Sequence, residues 1–318
     1  MKRETEITKE VARLYGVAED AVQPLNHFLF PYEKDGAGYM ARVLDEPSYQ
    51  EQLAEAAWVH YLAEGGIGVA RPVPSVAGAL VEKATVGGDE YCVVSLERVP
   101  GAPPTAEEWE RPLFRELGRT IGRMHRLTEE FHLEHPGLER ADWHAAEIYD
   151  PGFIREASGK ARARCAEIVA QVRALPRDPA TYGLINGDIH QWNFHLVGGR
   201  PVFFDTQECE PHFFAHDLGV LINSAVEESF NGGDINVYAE TFVGELLDGY
   251  AVERTLTAEW VERLPLFIKL REVMSFIDAH LEWDMRDLSL EQRIILNRYQ
   301  NAIENDVPVL HIDFRRFC

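Results

Sequence analysis

Cysteine is scarce and never clustered: Cys92, Cys165, Cys209 and Cys318 stand far apart with no CxxC pair. That spacing excludes a zinc ribbon and a disulfide framework, so free thiols are expected. Positive charge is scarce too. Against 53 Asp and Glu there are only 31 Lys and Arg, a formal charge of −22 at pH 7. So acidic a surface repels phosphodiester backbones and anionic lipid heads, which argues against nucleic acid and membrane as partners and favours a cationic ligand. No apolar run approaches the roughly 20 residues of a spanning helix. The start, MKRETEITKEV, has no apolar stretch behind its basic residues, and a cytoplasmic protein is expected. Internal repeats and low-complexity tracts are absent as well.

What is present is a foldable composition, with 46% hydrophobic and 26% charged residues in 318. That length suits one large domain or two lobes. Ile7, Val11, Leu14 and Tyr15 recur at helical spacing up to Gly16. Residues 22–43 read as two strands joined at Lys34-Asp35-Gly36-Ala37-Gly38. Ser48-x-x-Glu51 has capping-box spacing and opens a helix that runs to Gly65-Gly66. More strands follow from Gly78 to Val99, and Val99-Pro100-Gly101 with Pro103-Pro104 breaks the chain. A second box, Thr105-x-x-Glu108, precedes Leu113, Leu117, Ile121 and Met124 at buried-helix spacing. Helical texture returns over residues 161–175 and from about Val220 onward. The expected fold is α+β, with a small mixed lobe over residues 1–98 and a mostly helical lobe over 99–318.

Residues 184–219 concentrate Asp, Asn and His beside short apolar runs. Gly198-Gly199 suits a two-residue hairpin turn between Phe194-His195-Leu196-Val197 and Arg200-Pro201-Val202-Phe203-Phe204. Counting outward from that turn brings Asn193 beside Asp205, a hard-oxygen pair of the kind Mg²⁺ accepts while keeping several waters. Asp188 precedes Asn193 by five residues. Asp-x-x-x-x-Asn followed by a second Asp is the spacing of phosphoryl-transfer sites, where the first carboxylate receives the hydroxyl proton and the other two groups hold metal.

These residues resemble the aminoglycoside phosphotransferase and choline kinase-like enzymes, which have the protein-kinase-like fold. The family's HGDxxxxN catalytic loop is matched by Asn186-Gly187-Asp188 through Asn193, and its metal-binding Asp by Asp205. Asp217, in Asp217-Leu218-Gly219, matches the structural Asp that braces the loop. The resemblance implies ATP and Mg²⁺, a phosphate-holding cation at Arg42, and Glu55 as its partner, since Glu51 is occupied by the cap. It also implies an interlobe linker at Ser95, Glu97 and Val99 whose backbone meets adenine. Three departures stand out: Asn186 replaces the usual His, Thr206 follows Asp205 in place of a DFG, and Leu25-Asn26-His27-Phe28-Leu29 carries no glycine.

The leading expectation is an ATP- and Mg²⁺-dependent phosphotransferase acting on a hydroxyl of a small molecule. A protein Ser/Thr kinase and a nucleotide-binding pseudokinase stay open as alternatives. So does a metallohydrolase built on His190, His195, His212 and His216. Glu208, with Asp278 and Glu282 along one face of a helix at residues 266–283, forms an acidic stripe suited to a hydroxylated amine; Leu270, Val273, Ile277 and Leu281 form the expected buried face. Acceptor identity, ATP against GTP, and oligomeric state are open at this stage.

Overall fold

The computed structural model describes residues 2–45, 48–228 and 232–318. The chain divides into two compact units, one built from Met1–Pro103, Glu130–Arg140 and Phe194–Gln207, the other from Pro104–Glu129, Ala141–Asn193 and Glu208–Cys318.

In the first unit, helix α1 (Lys2–Tyr15) buries its stripe of Ile7, Val11, Leu14 and Tyr15. Strands β1 (Leu29–Lys34) and β2 (Ala37–Asp45) form a hairpin whose turn residues Asp35 and Gly36 have φ of 53° and 79°. Two left-handed residues match the right-handed twist of the flanking strands. Helix α2 (Tyr49–Glu64) starts at Ser48, whose hydroxyl accepts the Glu51 amide. Strands β3 (Pro72–Val73), β4 (Val81–Val86) and β5 (Asp89–Glu97) complete an antiparallel sheet of order β1-β2-β5-β3, with β4 also on β5. Side chains alternate along β5: Tyr91 and Val93 join the α1 core, while Cys92 and Val94 pack with Ala56 of α2.

Helix α3 (Arg111–Glu134) begins later than the Thr105 box suggests. The box does form, Glu108 donating to Thr105 Oγ1 and Thr105 to Glu108 Oε2, but it closes a turn ahead of the helix. Leu113, Leu117, Ile121 and Met124 are buried as their spacing requires. After α4 (Gly159–Arg173) and β6 (Tyr182–Ile185), the hairpin β7 (Phe194–Val197) and β8 (Arg200–Phe203) returns to the first unit. Its register is Val197↔Arg200 around a Gly198-Gly199 turn with φ of 59° and 77°, and Phe203 bonds Gly68 O at 2.8 Å.

The second unit continues with β9 (Glu210–Phe213), paired to β6, and α5 (Phe214–Glu228), α6 (Ile235–Glu253), α7 (Ala258–Glu282) and α8 (Leu290–Glu304). Helices α3 and α6 meet at glycines: a Cβ on Gly118 falls 1.9 Å from Leu246 O and one on Gly249 falls 1.9 Å from Arg115 O. Along α7, Leu270, Val273 and Ile277 are fully buried, but Leu281 is 36% exposed. The expected apolar face therefore stops one turn short of the helix end. All four cysteines are free thiols. Among the described residues no helix is long and apolar enough to cross a membrane.

Candidate active site

In the second unit, β6 ends at Ile185, opposite Glu210 of β9, and delivers Asn186, Gly187 and Asp188. Gly187 has φ of 82°, and a Cβ there would lie 2.6 Å from Glu208 O, so only glycine fits this turn. Asp217 accepts the amides of Asn186 at 3.1 Å and Gly187 at 2.8 Å. It lies inside the first turn of α5, so its carboxylate serves the loop instead of capping its own helix. His125 of α3, fully buried, lies 3.0 Å from Asp217 and 2.9 Å from the Tyr250 hydroxyl. Burial lowers the His125 pKa despite the opposing pull of Asp217. The neutral ring therefore donates through Nε2 and accepts the Tyr250 proton at Nδ1. Sequence reasoning passed over His125. Its signal was a polar residue four places after Ile121, on a helix face otherwise apolar.

Asp188 has its carboxylate held on both sides. Oδ1 pairs with Arg271 at 3.0 Å; Oδ2 accepts from Asn193 Nδ2 at 3.0 Å and lies 3.3 Å from His190 Nε2. Burial pushes its pKa up, but the His190 hydrogen bond and the Arg271 charge outweigh this and hold it below the ordinary carboxylate value. Asn186 Oδ1 accepts the Asp188 amide at 3.2 Å, so the residue replacing the usual His fixes the turn locally. Arg271, on α7 one turn before Ser275, was not anticipated.

Asp188 opens on a pocket of about 370 Å³ lined also by Glu147, Tyr149, Gly187, Glu208, Glu210, Arg271 and Asp278. Five carboxylates thus face one guanidinium. Burial, and after it the Glu282 and Asp188 charges, raise the Asp278 pKa against the opposing pull of Arg271. Glu282 itself is exposed and outside the pocket lining, so the predicted stripe contributes Asp278 but not Glu282.

Behind the pocket, Glu210, His212 and His216 bring ligand-type atoms within 4.8 Å of one another. The two imidazoles stack at 4.1 Å with planes 16° apart, so their in-plane lone pairs run side by side and do not converge on one ion. His212 Nδ1 also accepts the Phe213 amide at 2.7 Å, which puts the proton on Nε2. Burial holds both rings neutral, His216 down to about 3. Of the other histidines weighed as ligands, His190 turns to Asp188 and His195 to Pro100 O at 3.2 Å. The metallohydrolase reading loses its ligand set.

In the first unit, Arg42 of β2 and Glu55 of α2 pair at 2.7 Å, at 3% and 2% exposure. Among the described residues the Arg42 Nε and Nη1 donors meet no acceptor although buried. Two orphan donors on one guanidinium fit an oxyanion such as a nucleotide phosphate. Glu55 Oε1 accepts from Thr206 Oγ1 at 2.8 Å, and Arg140 lies 3.5 Å from Glu55 Oε2 while donating to Gln207 O at 2.8 Å. Asp205 is exposed, with φ of 60°, and its Oδ1 accepts from the Gln207 side-chain amide at 3.3 Å; an accessible carboxylate suits a hard cation. In the linker, the Ser95 hydroxyl bonds Tyr32 at 2.7 Å and the Glu97 amide bonds Arg71 O at 2.8 Å, whereas Val99 lies past the end of β5. The glycine-free loop is held by Asn26 Oδ1, which accepts the amides of Phe28 and Leu29 at 3.0 and 2.8 Å.

An antiparallel sheet with an Arg–Glu pair in one unit, and a braced Asp loop among helices in the other, define a kinase-like α+β fold. The chain belongs to the phosphotransferase enzyme family, whose model matches residues 32–260. It is 28% identical over 319 residues to an amicoumacin kinase of Bacillus subtilis (strain 168), covering 98% of this chain and 95% of that one. It is 29% identical over 233 residues to a homoserine kinase of Sinorhizobium medicae (strain WSM419), covering 71% and 66%. Among solved structures, an amicoumacin kinase in complex with AMP-PNP, Ca²⁺ and Ami superposes with a TM-score of 0.91 at 27% identity, covering 99% and 97%.

Proposed function

We propose that this chain is a cytoplasmic small-molecule kinase that moves the γ-phosphate of ATP to a hydroxyl of an amine-bearing acceptor. The phosphotransferase family and the small-molecule kinases it resembles support that class over a protein kinase. Asp188 is the base that orients the acceptor hydroxyl and takes its proton as the oxygen attacks in line. Its ionised state favours that role. Arg42 holds triphosphate oxygens through its orphan donors, Glu55 aims it, and Val99 offers its backbone to the adenine. Asn193 and Asp205 are the ligands we assign to Mg²⁺, which when bound neutralises charge on the phosphates. Asp217, through the Asn186 and Gly187 amides, keeps the Asp188 turn in place.

The observation that carries the acceptor class is the pocket at Asp188, where five carboxylates oppose one guanidinium. An ammonium relieves that repulsion, and Asp278 and Glu208 are its proposed partners. The test is ADP release with ATP and Mg²⁺ across amino alcohols, aminoglycosides, neutral sugars and generic protein acceptors. Turnover with hydroxylated amines is expected, and Asp188→Ala should lower it by roughly 10²–10⁴-fold. A neutral or anionic best substrate, or an Asp188→Ala enzyme within about threefold of wild type, overturns the assignment.

A further inference from the structure

Asp205 is one of three non-glycine residues with positive φ among those described, at 60°. A left-handed backbone at a functional carboxylate persists when its surroundings over-determine it. Here the two residues that follow supply the constraint. Thr206, 3% exposed, donates its hydroxyl to Glu55 Oε1 at 2.8 Å, and the carbonyl of Gln207 accepts from Arg140 Nη2 at 2.8 Å. Both bonds lead back to one place, because the other arm of Arg140 lies 3.5 Å from Glu55 Oε2, the oxygen that also pairs with Arg42.

We infer that Thr206 and Arg140 are positioning residues that lock the Asp205 turn to the Arg42–Glu55 pair, so that the phosphate cation and the metal carboxylate are set by one buried cluster. This rests on the nucleotide roles proposed above for Arg42 and Asp205. The charge balance gives Arg140 a second effect. Two guanidiniums share one carboxylate, and Arg42 keeps Nε and Nη1 without an acceptor among the described residues. With Arg140 gone, Glu55 draws on Arg42 alone, which weakens the attraction of Arg42 for phosphate. The Thr206 hydroxyl has a separate duty, since an isosteric valine leaves Glu55 Oε1 buried without that donor and frees the Asp205 turn.

The experiment measures MgADP affinity by calorimetry, with steady-state kinetics beside it, for wild type, Thr206→Val, Thr206→Ser and Arg140→Lys. Thr206→Val is expected to weaken MgADP roughly tenfold or more, the effect of one hydrogen bond to a charged group. KM for the acceptor should stay within about twofold, and Thr206→Ser should restore affinity to within about threefold. Arg140→Lys keeps the charge but has no planar fork to span Gln207 O and Glu55, and should weaken MgADP by at least about threefold. It carries the test alone if Thr206→Val does not fold. MgADP affinity unchanged in the folded variants, or no rescue by serine, overturns the inference. Failure of wild type to bind MgADP or to release ADP from ATP instead overturns the proposed function on which it rests.

Discussion

Asp217 offers the sharpest check on how the catalytic loop is held. Replacing it by alanine removes the acceptor of two main-chain amides, Asn186 and Gly187, and the partner of His125 Nε2, in a buried region where Asn186, His125 and Asp217 are at most 1% exposed. A hydrogen bond to a charged group contributes about 1.5–3 kcal/mol, so the two amide bonds alone amount to about 3–6 kcal/mol. A water admitted to the vacated space recovers part of this, and a net loss of about 3–5 kcal/mol is expected. Urea unfolding of wild type and Asp217→Ala measures it. Since the tether reaches Gly187 and not the nucleotide groups, kcat should fall at least about tenfold while KM for ATP moves little. His125→Ala should also destabilise, and the double variant should show coupling above about 0.5 kcal/mol, because both residues belong to one network. A loss below about 1 kcal/mol in Asp217→Ala, or strict additivity with His125→Ala, refutes the reasoning.

Asp205→Ala should weaken Mg²⁺-dependent nucleotide binding through loss of an anionic ligand, and Asn193→Ala should do so more mildly; calorimetry showing equal MgATP affinity in both removes them from the metal site. Asp278→Asn should raise KM for the acceptor and leave KM for ATP alone, whereas Glu282→Gln, outside the pocket, should leave both near wild type; an acceptor KM that ignores Asp278 defeats the amine wall. Stability should fall on acidification below about pH 6.5 because of His212 and His216. Both have folded pKa values depressed by burial, so between about 3 for His216 and the unfolded value the unfolded chain binds the extra proton and gains on the native state. From pH 7 to 5 the loss is about 2 kcal/mol for His216, with His212 adding to it in the same direction, and replacing His216 by a neutral isostere such as glutamine should flatten the urea-midpoint profile in that window; an unchanged slope counts against the buried neutral pair.

Much of the molecule was legible along the chain because local chemistry has local consequences. The α1 stripe, the Ser48 cap, the Asp35-Gly36 turn and the Gly198-Gly199 hairpin follow from spacing and from which residues tolerate left-handed φ, and each stands where its residues place it. The Asp188, Asn193 and Asp205 spacing pointed to phosphoryl transfer for the same reason, since it places oxygen ligands around one short loop and hairpin. Spacing is silent on partners from distant segments. Arg271 reaches Asp188 across 83 positions, His125 reaches Asp217 across 92, and Thr206 reaches Glu55 across 151, so only packing could reveal them. The same holds for faces. Periodicity put Asp278 and Glu282 on one stripe, but whether a helical turn lines a pocket or meets solvent depends on where neighbouring elements end, and Glu282 falls beyond that edge. Sequence therefore determined the elements and the reactive groups, while tertiary structure decided which charges were paired, which were left crowded, and so what ligand each unit invites, because Coulomb and desolvation energies depend on distances that the chain order does not contain.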